Sequence, residues 1–346
     1  MPARPLPPLP PEDLAHARAV VGDRWSAVKG QHLLLTGGTG FVGKWLLATL
    51  LDAERQFGLG CRVTVLTRNP QAFAQHAPDL ANAAAVELVQ GDVRHPGLLG
   101  RTFDRIVHAA TDVTASASDL DTFDTCLEGT RAMLDLARAC RAPMLLVSSG
   151  AVYGRQPADV PALHEEHPAI GPVQGASAYE AGKRAAEWLA HAQARAHGLD
   201  IVTARCFAFV GPYLPLDAHF AIGNFLRDAM AGLPLVIEGD GTPLRSYLHA
   251  ADMAAWLWTL CLAGRPQVIY NVGGDKALSI RDLAAQVIAA LDSTSTVEVK
   301  RRPDPAAPVA RYVPDTTRMR TEFALPKPIG LDNALRRTAA WHRAQR

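Results

Sequence analysis

Apolar and polar positions follow two rhythms along this chain. Between Gln31 and Phe207, short apolar runs rich in β-branched residues (HLLLT, RVTVLT, VELVQ, RIVHAA, PMLLVSS and DIVTARCF) alternate with longer stretches whose apolar residues recur every three or four positions, notably FVGKWLLATLLDAERQ, TFDTCLEGTRAMLDLARAC and AYEAGKRAAEWLAHAQARAHG. Strand, helix, strand repeated in this way predicts an α/β fold with a doubly wound parallel sheet over residues 31–206. Ahead of it, residues 1–30 read as a Pro-rich arm followed by a covering helix in EDLAHARAVVGDRW. Beyond Phe207 the rhythm breaks: Gly and Pro punctuate VGPYLPLD, AGLPLVIEGDGTPLRSYLH and RRPDPAAPVARYVP, with helices expected at AADMAAWLWTLC, SIRDLAAQVIAAL and LDNALRRTAAWHRAQ. Residues 207–346 are therefore expected to form a smaller lobe, with 245–275 returning to the first domain.

Composition narrows what such a chain does. Lys and Arg number 35 against 34 Asp and Glu, so there is no basic field to attract nucleic acid. Aromatics are only 6% and alanine is abundant, which argues against an all-β fold. No run of about 18 apolar residues predicts a membrane span, and the opening MPARPLPPLPPEDLAHARAV lacks the apolar core of a signal peptide, so a cytoplasmic protein is expected. Five cysteines (Cys61, Cys126, Cys140, Cys206 and Cys261) stand singly, without metal-ligand spacing, and read as small buried residues of a reducing compartment; no metal site is expected.

The candidate chemistry starts at TGGTGFVG, which falls between the first strand and the first helix of the alternating region. Gly37 suits a tight turn, Gly40 lets backbone approach a pyrophosphate, and Gly43 allows close helix packing; the helix start at Phe41, Val42 and Gly43 offers free N–H groups to the phosphates. This spacing makes 31–206 a dinucleotide-binding domain. The second strand would ordinarily end on an acid that binds the ribose hydroxyls of NAD, but here it ends on Thr67 and Arg68. A guanidinium suits a 2′-phosphate, which favours NADP(H), with NAD(H) as the alternative if Arg68 is only a solvated residue at a strand end. Asp92 of GDV is read as a partner for the adenine amine or as an ordinary turn aspartate. Val93 and Ala109, the latter in HAAT, complete the expected cofactor contacts.

These motifs, with SSGAVYG, YEAGK, GP at Gly211 and Pro212, GDGTPLRSYLHAAD and NVGG in that order, make the chain resemble the extended short-chain dehydrogenase/reductase family, the NAD(P)-dependent nucleotide-sugar epimerases and dehydratases of Rossmann fold. Tyr179 and Lys183 lie four apart on an expected helix and so face one way, and a neighbouring ammonium is expected to lower the phenol's pKa. The resemblance implies that Tyr179 is the general acid or base, that Lys183 also holds the nicotinamide ribose, and that Ser149 bonds the reacting oxygen, with Ser148 structural. It makes 207–346 the substrate-binding lobe. Arg245 then grips the substrate diphosphate, with Asn224 near it and Arg302 near the nucleotide, although Arg301 could serve in its place. His249 is read as a packed residue outside the chemistry. A homodimer joined through two helices of each subunit is a further expectation of the resemblance.

The chain departs from the family where it has Gly150 and Ala151, since the 4,6-dehydratases carry Asp and Glu directly after the hydroxyl residue. Dehydration is disfavoured on that ground. Cys126 and Ala208 stand where asparagine is usual. The resemblance thus implies an NADPH-dependent 4-ketosugar reductase, with a C4-epimerase that keeps NAD bound as the alternative and a non-catalytic NADP(H)-binding regulator as a third reading. The choice of sugar is expected to rest on YLPLDAHFAIGN and on the loop from Thr111 to Ser118.

Overall fold

The computed structural model describes residues 5–111, 118–168, 175–218 and 220–345. Among these, seven parallel strands form the central sheet: β1 (His32–Thr36), β2 (Arg62–Thr67), β3 (Val86–Gln90), β4 (Arg105–His108), β5 (Met144–Ser149), β6 (Ile201–Cys206) and an edge strand, Ile269–Val272. Their spatial order is β3-β2-β1-β4-β5-β6-edge. The chain moves outward from β1 to β3, then crosses back to β4 and moves outward the other way. The crevice beyond the carboxyl ends of β1 and β4 is where sheets of this topology take ligands.

The continuous apolar runs become strands because both faces are covered. Leu33, Leu35, Val63, Val65, Val107, Leu145 and Val147 point to one side, where they meet the helices α1 (Pro11–Val21) and α2 (Phe41–Phe57) and the helix Ala250–Ala263. Leu34, Leu66, Ile106, Met144 and Leu146 point to the other, against the helices Asp119–Cys140 and Ala178–His197. Each fully buried leucine contributes about 1.5–3 kcal/mol relative to exposure. The helix Ala250–Ala263 is apolar almost all round, and its Trp256 and Trp258 are nearly inaccessible. Across it lies α1, tied down by His16 to Asp252 at 2.7 Å and by an ion pair of Arg18 with Asp52.

A further core cluster is formed by Ile222, Phe225, Leu226, Leu235, Ile237, Leu283, Val287 and Leu335. A separate sheet of three two-residue strands has the order Leu278–Ser279, Leu244–Arg245, Arg311–Tyr312. Its register sets Arg245 opposite Tyr312.

Two elements end differently from expectation. The strand expected through RIVHAA stops at His108, because Ala110 N–H turns away to the Thr36 hydroxyl at 3.2 Å. The covering helix at the N-terminus gives way to a 3₁₀ helix at Gly22–Val28.

Candidate active site

Backbone alone builds the first half of the site. Gly37 has φ 71°, and a Cβ there would stand 2.5 Å from the Ala109 carbonyl oxygen; one on Gly43 would stand 2.1 Å from the Gly37 oxygen. Both glycines are required by the protein's own packing. Gly40 is different. A Cβ added to it would meet within 4 Å only the Gly37 oxygen, at 3.4 Å, an ordinary contact. Gly40 also opens α2 without a side-chain cap, so the first-turn N–H groups at Phe41, Val42 and Gly43 face the same space that glycine keeps clear. The fit of this cradle to a pyrophosphate rests on that vacancy of side chain and cap.

A buried histidine steadies the far wall. His108 Nδ1 lies 2.8 Å from Thr36 Oγ1 and its Nε2 3.1 Å from Thr130 Oγ1. Burial pushes its pKa down to about 3, so the ring is neutral and serves as a strut. It fixes the ends of β1 and β4, including Ala109 over Gly37. The sequence reading had not singled it out; a histidine at the end of an otherwise apolar strand was the available signal.

At the adenosine side, Arg68 is exposed just beyond β2, next to the buried Thr67. Asp92 accepts three hydrogen bonds from Arg94, from its N–H at 2.9 Å and from Nε and Nη2 at 3.0 Å, which hold its carboxyl below the usual range. The Arg68 charge acts on the same carboxylate. Val93 packs inward against Gly129.

The second half is assembled from distant segments. β5 ends on Ser149, whose Oγ accepts the Ala151 N–H at 3.1 Å and so starts the short 3₁₀ turn Gly150–Tyr153. Its neighbour Ser148 points the other way and donates to Glu187 at 2.5 Å, while Glu187 is held by Arg205; Ser148 is structural. Tyr153 leaves the site as well, donating to Asn271 of NVGG at 2.8 Å. Ser177 caps the helix Ala178–His197 through Glu180 N–H at 3.2 Å, which sets Tyr179 in the first turn and Lys183 one turn on. Ser149 is the neighbour that favours ionisation of the Tyr179 phenol.

One expectation is corrected here. Lys183 does not pull the Tyr179 phenol down: its Nζ donates to the Val147 carbonyl at 2.9 Å and sits 5.9 Å from the centre of the tyrosine ring. Burial dominates instead and pushes Tyr179 up to about 12, and the group that opposes this rise is Ser149. Lys183, itself buried, is shifted downward by desolvation.

The structure also adds a residue. Tyr312, from the Arg311–Tyr312 strand, packs its ring against Phe207 with centroids 4.6 Å apart. A Cβ on Gly150 would stand 2.7 Å from the Tyr312 oxygen and 2.7 Å from Phe207 Cζ. Position 150 is thus filled from outside. Cys126 touches Gly182 at the crossing of two helices and, like Cys206, lies near Tyr179 and Lys183 with its thiol held neutral by burial.

Of the expected substrate contacts, Arg245 is half-buried, donates to the Leu244 carbonyl at 2.9 Å and exerts its charge on Tyr312. Asn224 is half-buried and accepts from Arg227 at 3.3 Å. Arg301 and Arg302 are exposed on the loop after Val297–Val299. Arg311, unnoticed in the sequence, has a buried Nε with no hydrogen-bond partner among the described residues. His249 is buried and caps the helix Ala250–Ala263 through Ala251 N–H at 3.2 Å. Residues 112–117 and His219, parts of the two loops expected to select the sugar, lie outside the described residues. Among the described residues there is no group of His, Cys, Asp and Glu suited to a metal, and no helix long and apolar enough to cross a membrane.

The chain is similar to several known proteins. The chain is 30% identical over 324 residues to a dTDP-glucose 4,6-dehydratase of Streptomyces niveus, covering 91% of this chain and 93% of that one. It is 29% identical over 312 residues to UDP-glucuronic acid decarboxylase 1 of Arabidopsis thaliana, covering 89% and 69%. Among solved structures it is similar to a dTDP-glucose 4,6-dehydratase from Streptomyces venezuelae with NAD and TYD bound, at 26% identity, a TM-score of 0.76 and coverage of 90% and 97%. It shares the fold of epimerase Mth375 from Methanothermobacter thermautotrophicus, at 21% identity, a TM-score of 0.80 and coverage of 94% and 96%. Residues 33–273, which carry the glycine turn, Ser149, Tyr179, Lys183 and Arg245, match the description of one family throughout, and the chain belongs to the NAD dependent epimerase/dehydratase family.

Proposed function

We propose that this chain is a nucleotide-sugar C4-epimerase that keeps NAD bound. The observation that carries the reading is the pairing of one acid/base, Tyr179 beside Ser149, with a position 150 that has no room for a carboxylate. Epimerisation at an alcohol carbon needs one group to take and return a proton; loss of water needs an additional acid and base. Gly37, Gly40 and the start of α2 would hold the pyrophosphate, Asp92 and Val93 the adenine side, and Tyr179 and Lys183 the nicotinamide side. A bound nicotinamide supplies an acceptor and donor of hydride. Ser149 orients the sugar oxygen. Tyr179 Oη takes the hydroxyl proton as the carbon is oxidised and gives it back when the ketone is reduced from its other face, while Arg245 keeps the diphosphate anchored as the sugar turns.

NADP(H) was the expected cofactor because of Arg68. That support is weakened by Asp92, whose carboxylate the Arg68 charge already meets, and relatives are named with NAD. The reductase reading retains one specific observation in its favour: β2 ends on Thr67 and Arg68 with no acid for the ribose hydroxyls. The deciding experiment is incubation of the purified protein, without added cofactor, with UDP- and dTDP-linked hexoses. Interconversion of C4 epimers, with NAD released on denaturation, is expected. Turnover that begins only when NADPH is added and consumes it would replace the epimerase with the reductase.

A further inference from the structure

The helix that carries Tyr179 grips the chain around Ser149 at three points, and none of them is Ser149 itself. Lys183 Nζ donates to the Val147 carbonyl at 2.9 Å, Ser148 Oγ donates to Glu187 Oε1 at 2.5 Å, and Arg184 Nε donates to the Val152 carbonyl at 2.7 Å. Residues 147, 148 and 152 bracket Ser149 on both sides. Of these three links, only that from Ser148 to Glu187 runs side chain to side chain. Successive side chains of a strand point to opposite faces, so fixing Ser148 on the helix fixes the direction in which Ser149 leaves the strand. The Glu187 carboxylate is itself held from a third element. Arg205 of β6 is the sheet partner of Ser148. Its Nε lies 3.1 Å from both Glu187 oxygens, Nη2 donates to Oε2 at 2.7 Å, and Nη1 donates to the Glu165 carbonyl at 3.0 Å. The same guanidinium lies 4.6 Å from the centre of the Tyr153 ring, at the end of the turn that Ser149 starts. Side chains of Arg205 and Glu187 are only 12% and 10% exposed.

We propose that Glu187 is a positioning residue: held by Arg205, it ties Ser148 to the helix and so fixes the separation of Ser149 and Tyr179. This rests on Ser149 and Tyr179 doing the proton chemistry. Ser148 takes no part in that chemistry, and Glu187 bonds Ser148 and Arg205; the pair acts by geometry. An orienting group has to stay within about 0.5 Å of its productive place. A misplacement of about 1 Å that starts far from the reaction can cost about a hundredfold in rate. A hydroxyl bonded to a carboxylate is shorter and about twice as strong as a neutral pair, which suits a joint that must not slip. Because Glu187 is paired with a guanidinium, the joint adds no net charge beside the phenol.

Glu187→Ala would leave the Arg205 charge buried without its partner, a change that can unfold a protein. The joint is therefore cut at its other end, by Ser148→Ala, which leaves the ion pair intact. In NAD-loaded protein, kcat for the C4 interconversion should fall about tenfold, with KM and affinity for a nucleoside diphosphate within about twofold of wild type. Ser148→Thr keeps the hydroxyl on a strand position and should bring kcat back to within about threefold. Glu187→Asp keeps the charge for Arg205 but shortens the reach; it should slow turnover as much as Ser148→Ala, and the two together should cost no more than either. Crystal structures of NAD-loaded wild type and Ser148→Ala should differ in the distance from Ser149 Oγ to Tyr179 Oη by more than about 0.5 Å. A merely structural role would lower the unfolding temperature of Ser148→Ala and leave kcat where it was. That result, a threonine variant as slow as the alanine, additive losses in the double variant, or an unchanged distance overturns the proposal. If wild type interconverts no sugar, the epimerase reading falls, while the crystallographic distance still decides the role of Glu187.

Discussion

The two ends of the site are built on opposite principles. At the dinucleotide end the working parts are main-chain groups within a few residues of one another, from Gly37 to Gly43, and the packing of Gly37 on Ala109 and Gly43 on Gly37 leaves little freedom to vary them. At the proposed sugar end they are side chains from β5, from a helix that follows a loop, and from a two-residue strand late in the chain. A main-chain cradle is as rigid as its fold, and it binds. Side chains from separate segments can be exchanged one at a time, which suits the part that must choose a sugar and a reaction.

The contrast can be broken at either end. The largest effect is expected for Tyr179→Phe, which removes the transferable proton and keeps the ring: a turnover loss of at least about a hundredfold with cofactor affinity near wild type, measured by steady-state kinetics and cofactor titration. If turnover survives, the acid/base belongs to another group. Gly43→Ala should act in the opposite way, losing about 1–3 kcal/mol of stability in urea unfolding and most of its bound dinucleotide, because a methyl group 2.1 Å from the Gly37 oxygen forces the turn apart. A stable alanine variant that still carries cofactor would show the cradle to be more pliant than described.

Position 150 sharpens the comparison. Gly150→Asp introduces the missing carboxylate, yet it should yield no product lighter by one water and should cost about 1–3 kcal/mol, since the new Cβ meets Tyr312 and Phe207 at 2.7 Å. A dehydrated product by mass spectrometry would refute the steric argument. The smallest change is expected for Arg245→Ala: affinity for a nucleoside diphosphate, read by calorimetry, should weaken about tenfold, or about 1.4 kcal/mol. Unchanged affinity would assign Arg245 to the small sheet alone.

The same division explains what the sequence made legible. β1, β2, β3, the helix after Gly40 and the positions of Ser149, Tyr179 and Lys183 were readable because each rests on a local pattern: a buried run, a glycine spacing, a four-residue step on a helix. Tyr312 was not. Its strand is two residues long, too short to show an alternation, and sits in RRPDPAAPVARYVP, where proline spacing suggests only loop. A lone aromatic in such a stretch was the sole trace. The pKa of Tyr179 was misjudged because spacing places Lys183 on the correct face but says nothing of where its ammonium points, and the Val147 carbonyl claims it. Arg311 was passed over for the more conspicuous Arg301 and Arg302 because burial of one nitrogen leaves no mark in a sequence.

The strand Arg311–Tyr312 also bears on how the enzyme comes into being. A ribosome delivers the chain from its amino end, so the dinucleotide turn, β5 and the helix with Tyr179 are all available well before Tyr312 emerges. The glycine turn is itself complete only once Ala109, which packs over Gly37, has been made. The far side of the site is closed only when the last third of the polypeptide has wrapped back and set Tyr312 opposite Arg245. Synthesis therefore sets the glycine turn and the helix of Tyr179 in place before the strand that carries Tyr312.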